Sequence, residues 1–143
     1  MSTVVVVSSE AEKKLFVCDE SFRVIVTGVG YGNVYRSLCG LPRDTTIINI
    51  GFAGSNSIPI GTLCCVGEVR NFHPNVDYSE MSYRLVGDTP CFSSSDFVTR
   101  ADIPYPCLFD MELYAILSMG FTNVVSFKTV SDHLNYKEFE NNV

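Results

Sequence analysis

The chain has 143 residues, of which 46% are hydrophobic and 18% charged, so it can bury a sizeable core and is not intrinsically disordered. Its formal net charge of −6 at pH 7 argues against nucleic acid and against an anionic membrane surface as partners, because both attract clustered lysine and arginine. No internal repeat or linker divides the sequence, and one domain is therefore expected over residues 1–143.

Short apolar runs alternate with helix-like stretches along the chain. Strands are predicted for Val4–Val7, Arg23–Thr27, Thr45–Ile50, Thr62–Val66 and Asn123–Val130. Helices are predicted for Ser9–Phe16, Tyr31–Cys39, Met111–Met119 and Tyr136–Asn141. Runs of valine and isoleucine without polar alternation are typical of strands covered on both faces. The sequence therefore predicts an α/β fold, with three α/β/α layers around a central mixed, largely parallel sheet.

The sequence predicts a reduced, cytoplasmic protein. No apolar run reaches the roughly 18 residues of a membrane span, and Thr3–Val7 lacks the basic leader of a signal peptide. None of the six cysteines forms a C-x-x-C motif, and we interpret them as small buried thiols. His73 and His133 do not share metal-ligand spacing with the cysteines, so neither a metal nor another cofactor is expected.

Two glycine-rich segments follow predicted strands. Gly28-Val29-Gly30 also opens a predicted helix, but Asn33 stands where a dinucleotide-binding G-x-G-x-x-G motif needs glycine. Gly51-Phe52-Ala53-Gly54 ends another strand. Since ligands of open α/β sheets bind beyond the carboxyl ends of the strands, the two segments together predict a ligand site.

Two acidic segments could carry chemistry. Asp110-Met111-Glu112 opens the Met111–Met119 helix, where the helix dipole favours ionised carboxylates and Asp110 is a plausible cap. A carboxylate there can accept two hydroxyl hydrogen bonds, as a ribose diol requires. Ser131-Asp132-His133 follows a strand, and an acid at that point is placed to act as a general acid. Consecutive strand residues point to opposite faces, which argues against a catalytic triad of these three residues.

These segments resemble the nucleoside phosphorylase superfamily, and most closely its methylthioadenosine/S-adenosylhomocysteine nucleosidases. The similarity to the central block of the family lies in Ile47–Gly54, Ile60-Gly61-Thr62 and Glu68–His73. Gly28–Gly30 is similar to a sugar-side turn of the family, and Phe92–Val98 is similar to its purine-pocket strand. Asp110–Glu112 resembles a Glu-Met-Glu helix start, and Val130–Asp132 resembles the catalytic Ser-Asp. The motifs occur in family order and imply the nucleoside phosphorylase-like fold in a shortened form.

The resemblance implies a role for each matching residue. Asp132 would protonate the purine at N7, Glu112 would hold the ribose hydroxyls, and Met111 would pack under the sugar. Phe97 would stack on the base while the backbone of Val98 binds its edge. The water-activating acid would be Glu12 or, one step earlier, Glu10. The other substrate-binding positions implied are Gly28, Phe52, Ala53, Gly54, Asp110 and Ser131.

The implied reaction is hydrolysis of an adenine nucleoside or thionucleoside, with adenine or hypoxanthine as the base and the 5′ substituent left open. Hexameric phosphorylases of the superfamily carry an arginine where this chain has Asn49, which favours water over phosphate as nucleophile. Phosphorolysis remains an alternative. A catalytically inactive nucleoside-binding module is another, because the chain is shorter than family members and Phe52 replaces a small polar residue. The resemblance also implies a homodimer or larger homo-oligomer, with His73 on a loop that completes the neighbouring subunit's pocket.

Overall fold

The computed structural model describes residues 2–16, 22–72 and 82–143. Two earlier expectations, the reduced thiol of Cys18 and the pocket-completing role of His73, lie outside the described residues. The strands are β1 (Thr3–Val7), β2 (Arg23–Val26), β3 (Thr46–Ser55), β4 (Leu63–Asn71), β5 (Ser82–Arg84), β6 (Thr89–Ser93), β7 (Leu108–Asp110) and β8 (Asn123–Asp132). The α-helices are α1 (Tyr31–Leu38), α2 (Leu113–Ser118) and α3 (Tyr136–Asn142), and a 3₁₀ helix covers Glu10–Leu15.

The strands form one mixed sheet in the order β2-β1-β3-β7-β6-β4-β5. β8 pairs with both β3 and β4 and thereby closes a ring of β3, β7, β6, β4 and β8. Most of the described pairings are parallel, while β3 with β7, β4 with β5 and β4 with β8 are antiparallel. The predicted mixed α/β sheet is confirmed, the ring was not predicted, and the three-layer arrangement stays a prediction.

The two central strands are longer than the sequence pattern predicted. The segment Gly51–Gly54 was expected to follow its strand, but it lies inside β3, and β8 continues through Ser131 to Asp132. Both strands are long because they pair with each other: they run parallel from Thr46 and Asn123 onwards, and each supplies backbone hydrogen-bond partners to the other. Their register shifts between Ala53 and Gly54, which marks a β-bulge beside the acidic end of β8.

The expected strand Phe92–Val98 is wrong beyond Ser93, where β6 ends. The side chain of Ser94 accepts a hydrogen bond from the Asp96 backbone N–H at 3.2 Å, a local turn that competes with strand pairing. Phe97 and Val98 consequently lie in the connection between β6 and β7. The short strands β5 and β7 were not predicted, because runs of three residues carry little periodicity.

Helix α1 follows Gly30, whose φ of 92° is a conformation that favours glycine. Helix α2 begins at Leu113, two residues later than predicted, because Asp110 belongs to β7 and its carboxylate accepts the Leu113 N–H at 2.9 Å. The two helices pack together against one core cluster of buried apolar residues: Val4, Val6, Val34, Leu38, Ile47, Ala115, Ile116 and Phe121. No helix in the described ranges is both long and apolar enough to cross a membrane.

The expectation of buried thiols is confirmed in part. Cys64, Cys91 and Cys107 are buried, Cys65 is half-buried, and none of these forms a disulfide. Cys39 is exposed and contradicts the expectation, because it caps the solvent-facing end of α1 instead of filling the core.

Candidate functional site

A cavity of about 390 Å³ opens where β3, β8, the 3₁₀ helix and α3 meet the start of α2. Its walls are mainly apolar, and its polar groups include four carboxylates. The sequence-predicted site residues that line it are Glu12, Phe52, Ala53, Gly54, Phe97, Val98, Asp110, Met111, Glu112, Ser131 and Asp132. Gly28 does not line the cavity, although its neighbour Val29 does. The segments of the chain that were expected to build one site are therefore brought together.

Glu12 is held rigidly on one side of the cavity. Its Oε1 accepts hydrogen bonds from the backbone N–H and the hydroxyl of Ser8, at 2.6 and 2.8 Å, and its Oε2 accepts the Phe52 N–H at 2.8 Å. The residue is only 4% exposed. One acceptor position on Oε2 remains for a water molecule. Glu10, the alternative, pairs with Lys13 at 3.0 Å on the surface, so the geometry favours Glu12 as the acid at the cavity.

Asp132 ends β8 and is fully buried. Its Oδ1 accepts the Ser131 hydroxyl at 2.7 Å, and its Oδ2 accepts the Leu134 N–H at 3.0 Å. Consecutive strand residues were expected to point to opposite faces, which is wrong for Ser131 and Asp132: their side chains hydrogen-bond where the register of β3 and β8 shifts. His133 turns away and its Nε2 lies 2.9 Å from the carbonyl oxygen of Ile58, so the structure does not assemble a triad.

Two glycines of β3 allow these carboxylates to approach the strand. A Cβ at Gly51 would lie 2.5 Å from Glu12 Oε2, and a Cβ at Gly54 would lie 2.8 Å from Asp132 Oδ2. Both separations are far shorter than carbon–oxygen contact allows. Three residues of strand, roughly 10 Å, separate the two glycines. The glycine segment thus lets two carboxylates that line the cavity approach β3 at points three residues apart.

The third acidic group is a buried ion cluster at the start of α2. The ammonium of Lys128, on β8, lies 2.9 Å from Glu112 Oε1 and 3.2 Å from Asp110 Oδ2. Lys128 is fully buried and does not line the cavity, whereas both carboxylates do. Asp110 also accepts hydrogen bonds from the hydroxyl of Ser93 and from the N–H groups of Glu112 and Leu113 at the start of α2. It therefore anchors the cluster and the helix, while Glu112 is placed to meet a ligand.

Burial dominates the charge state of this cluster. Burial raises the pKa of Glu112 to about 7, and the carboxylates of Glu12 and Asp110 add to the rise while Lys128 opposes it. The prediction that this position favours the ionised form of Glu112 is therefore wrong, since burial raises the pKa of its carboxyl group. Burial alone would lower the pKa of Lys128, but the charges of Glu112, Asp110 and Glu12 raise it above its ordinary value.

Aromatic side chains form the apolar wall opposite β3. The ring of Phe97 contacts Tyr136 and Phe139 of α3 edge-on, with centroid distances of 5.3 and 5.7 Å. Helix α3 is fixed by Asn135, whose side chain accepts the Glu138 N–H, and by Asn142, which donates to the Ser131 carbonyl oxygen at 3.1 Å. A flat apolar ligand would find its stacking surface here.

The residues considered for phosphate binding lie elsewhere. Asn49 is buried, where its Oδ1 accepts the Ser126 hydroxyl at 2.8 Å and its amide donates to the Val6 carbonyl oxygen. Arg36 donates to Asn33 at the surface, and Arg70 pairs with Glu68 at 2.8 Å. No arginine or lysine is among the described residues that line the cavity. In the same ranges, no three His, Cys, Asp or Glu side chains are grouped so as to hold a metal ion.

Lys128 is the residue that sequence reasoning missed. It was counted as part of the apolar strand Asn123–Val130 and given no role. A lone lysine among Val, Phe and Thr in a buried strand indicates a buried charge. A charged side chain in a strand covered on both faces needs a buried counter-charge, and the sequence offered Asp110 and Glu112 as candidates.

No protein-family model matches this sequence, and neither does any curated protein sequence. Solved structures do match, and the class of fold that they define is that of 5′-methylthioadenosine/S-adenosylhomocysteine nucleosidases. The likeness extends over 99% of this chain. The sequence identities lie below the level at which a function can be carried over, so the comparison establishes the fold.

Three of these structures illustrate the likeness. The nucleosidase of Neisseria meningitidis, solved with methylthio-immucillin-A, is 16% identical with a TM-score of 0.76, and the match covers 91% of that chain. The MTAN of Chlamydia trachomatis is 17% identical with a TM-score of 0.75 and is covered over 89% of its length. The S-adenosylhomocysteine nucleosidase of Streptococcus pyogenes, solved with 5-methylthiotubericidin, is 15% identical with a TM-score of 0.75, again with 89% coverage.

Proposed function

We propose that this chain is a purine nucleoside N-ribosyl hydrolase that cleaves the glycosidic bond of an adenine nucleoside or thionucleoside. The observation that carries the proposal is the placement of Glu12 and Asp132 against two glycines of one strand, at the same apolar cavity. The ligands of the solved neighbours, MTA in Chlamydia trachomatis MTAN and methylthio-immucillin-A in the Neisseria meningitidis enzyme, support a thionucleoside as substrate.

In the proposed reaction, Asp132 gives its proton to N7 of the purine. The C1′–N9 bond breaks, its electron pair stays with the base, and the purine leaves as a neutral molecule. Water held by the free acceptor position of Glu12 Oε2 attacks C1′ and yields its proton to Glu12. Glu112 binds the ribose hydroxyls, Met111 packs under the sugar, and Phe97, with the Val98 backbone, holds the base. Solvent then restores the proton of Asp132 and removes the one on Glu12.

Water rather than phosphate is the nucleophile in this proposal. Among the described residues, the charged side chains that line the cavity are acidic, and the nearby ammonium of Lys128 is already paired with two carboxylates. A phosphate dianion would enter this field against electrostatic repulsion, with no guanidinium to bind it. The surroundings of Asn49, Arg36 and Arg70 thus favour hydrolysis over phosphorolysis.

A nucleoside-binding module without turnover is the second candidate, and Phe52 is the observation that favours it. Its half-buried side chain lines the cavity, and its backbone N–H binds Glu12. A ring at this point competes with water for the space beside the Glu12 carboxylate. This candidate shares the base and ribose contacts of the hydrolase and differs from it in turnover alone.

We also propose that the protein acts in the cytoplasm, as one domain and as a homodimer or larger homo-oligomer. The proposed chemistry uses acids and bases alone, so it needs neither a metal nor another cofactor. The partner that we propose is a small purine nucleoside, whose base suits the mainly apolar walls of the cavity.

Analysis of the sugar product tests the proposal. The chain is incubated with 5′-methylthioadenosine, adenosine or inosine in buffer that contains phosphate, and the sugar is identified by mass spectrometry. Free ribose or methylthioribose supports the hydrolase. A sugar 1-phosphate identifies a phosphorylase. Unchanged nucleoside together with measurable nucleoside binding identifies the binding module.

A further inference from the structure

The connection between β6 and β7, residues 94–107, carries Phe97 and Val98, which line the cavity. The structure describes this stretch throughout, and it forms neither a helix nor a strand. Arg100 and Asp102 near its middle are exposed. Its backbone therefore lacks a regular hydrogen-bonded ladder, and its course depends on what the rest of the fold binds.

An apolar cluster is the first contact that holds the 94–107 connection. Val98 is one of its buried members, and Ile103 packs against it. The other buried members are Phe72, Phe92, Cys107 and Phe109. Apolar contacts are not directional, so the cluster buries part of the connection without fixing the course of its backbone.

The side-chain amide of Asn56 supplies directional contacts. Its Nδ2 donates to the carbonyl oxygens of Ile103 at 3.2 Å and of Tyr105 at 2.8 Å. Its Oδ1 accepts the Cys107 N–H at 3.1 Å. Because an amide side chain has the donor and acceptor groups of a backbone peptide, Asn56 binds the 94–107 connection as a neighbouring strand would.

The position of Asn56 ties the 94–107 connection to the strand against which the proposed acid packs. Asn56 directly follows β3, which pairs with β7 through two residue pairs, at Gly54 and Ser55. The Ser55 hydroxyl adds a hydrogen bond to the Cys107 carbonyl oxygen at 2.6 Å. Asp132 lies against Gly54, two residues before Asn56. The same end of β3 thus contacts both the acid and the connection.

We propose that Asn56 is a positioning residue that fixes the 94–107 connection, and with it Phe97 and Val98, so that the base is aligned with Asp132. The inference rests on the proposed function, because it assumes that Phe97 and Val98 hold the base. Asn56 is not among the described residues that line the cavity. It touches neither the substrate nor the reacting atoms and acts only through the connection.

The first test measures the affinity for free adenine by calorimetry. We expect it to fall about tenfold in Asn56→Ala and in Asn56→Asp, because both substitutions remove the two hydrogen bonds to carbonyl oxygens of the connection. Asn56→Asp keeps the size of the side chain and the acceptor for the Cys107 N–H, so it covers the case in which Asn56→Ala does not fold.

Ser57→Ala is the matched control. It removes a hydroxyl of the exposed neighbouring residue, which donates to Asn56 Oδ1 at 3.3 Å, and it leaves the contacts between Asn56 and the 94–107 connection in place. The adenine affinity of Ser57→Ala should equal that of the wild-type protein.

Proteolysis separates a local effect from a general loss of stability. Trypsin cleaves after arginine, and the exposed Arg100 lies in the 94–107 connection while the exposed Arg36 lies in α1. In the Asn56 variants we expect cleavage at Arg100 to become about tenfold faster and cleavage at Arg36 to keep its wild-type rate, because only the connection is released. A merely structural role would accelerate cleavage at both sites together, and that result would overturn the inference.

Wild-type adenine affinity in both Asn56 variants would also overturn the inference, as would an unchanged rate of cleavage at Arg100 or failure of both variants to fold. Because the readouts are binding and proteolysis, adenine binding without nucleoside cleavage in the wild-type protein contradicts the proposed hydrolysis alone. No binding of adenine by the wild-type protein contradicts the assignment of Phe97 and Val98 to the base, and the inference with it.

Discussion

At the scale of single residues, the two carboxylates of the proposed reaction differ in what holds them. Both oxygens of Glu12 are anchored by Ser8 and Phe52, which leaves one acceptor position for water. Asp132 has one oxygen bonded to the Ser131 hydroxyl and the other to the Leu134 N–H. A substrate bound in the cavity requires an acid and a base in fixed positions, since small displacements of a catalytic group lower the reaction rate.

We expect Asp132→Asn to lower turnover by at least about a hundredfold, the usual contribution of a general acid. Nucleoside affinity should stay within about tenfold, or ~1.4 kcal/mol, because the amide keeps the shape of the carboxyl group. Initial rates and calorimetric affinities measure the two effects. Asp102→Asn, which changes an exposed carboxylate, is the matched control and should keep the wild-type rate. Wild-type turnover by Asp132→Asn would show that another group protonates the base.

The glycines provide a second residue-scale prediction. Gly54→Ala places a methyl group 2.8 Å from Asp132 Oδ2, so the carboxylate must shift out of position. We expect turnover to fall by about tenfold or more and the free energy of unfolding to fall by about 1–3 kcal/mol, as for other overpacked sites. Steady-state kinetics and urea titration are the measurements.

Gly40→Ala is the control for this substitution, because a Cβ at Gly40 meets nothing within 4 Å. It should leave the rate unchanged. Equal effects of the two substitutions on turnover would mean that the close approach of Gly54 to Asp132 does not contribute to the reaction rate.

At the scale of elements, the short helix α3 completes the cavity. Its apolar residues Tyr136 and Phe139 contact Phe97, and Asn142 ties the helix to Ser131, next to the proposed acid. Seven residues are too few for a stable isolated helix, so α3 depends on these contacts and on the cap from Asn135. The aromatic wall of the cavity and the support of Asp132 are therefore linked through one element.

Phe139→Ala removes part of this wall without touching a charged group. We expect KM for the nucleoside to rise several-fold, since an aromatic pair is worth about 0.5–1.5 kcal/mol, while kcat changes less. Substrate titrations of Phe139→Ala and of Glu140→Ala, which changes an exposed neighbour on the same helix, make the comparison. A fall in kcat at constant KM would place α3 in the chemistry rather than in base binding.

At the scale of the whole molecule, the buried ion cluster links stability to pH. The folded pKa of Glu112, about 7, lies above its ordinary value of 4.5, so the folded state binds the proton more tightly than the unfolded chain. The stability that this proton contributes is complete below about pH 4.5 and is lost as the pH rises through about 7.

We therefore expect the wild-type protein to lose up to about 3 kcal/mol relative to Glu112→Gln between these pH values, because the amide cannot ionise. Urea unfolding of both proteins across this range tests the difference. A gap that stays constant with pH, or that changes in the opposite direction, would contradict the buried and raised state of Glu112.

Much of the fold followed from the sequence because its central strands are long and apolar. Val4–Val7 is an unbroken run of valine, and Thr45–Ile50 and Asn123–Val130 are rich in β-branched residues, so all three could be recognised as strands. The ring closure could not, since it depends on the antiparallel pairing of β4 with β8 and on the very short β7, whose sequences carry no partner information. Pairing between distant segments is a property of the folded sheet.

The parts of the candidate site that lie in short sequence motifs could be predicted. The parts that depend on contacts between distant residues could not. Asp132, Glu112 and Phe97 lie at the cavity as their motifs implied. The pairing of Lys128 with Asp110 and Glu112 joins positions 16 and more residues apart, and no local pattern reports such a distance. Similarly, the partner of Gly51 is Glu12, 39 positions earlier, and only the folded backbone shows why that residue is glycine.

Release of free adenine from 5′-methylthioadenosine and adenosine in phosphate-free buffer tests the proposed hydrolysis. We expect multiple turnovers without phosphate, no acceleration when phosphate is added, and loss of release in Asp132→Asn. Release that requires phosphate, or bound nucleoside that is never cleaved, would contradict the hydrolase.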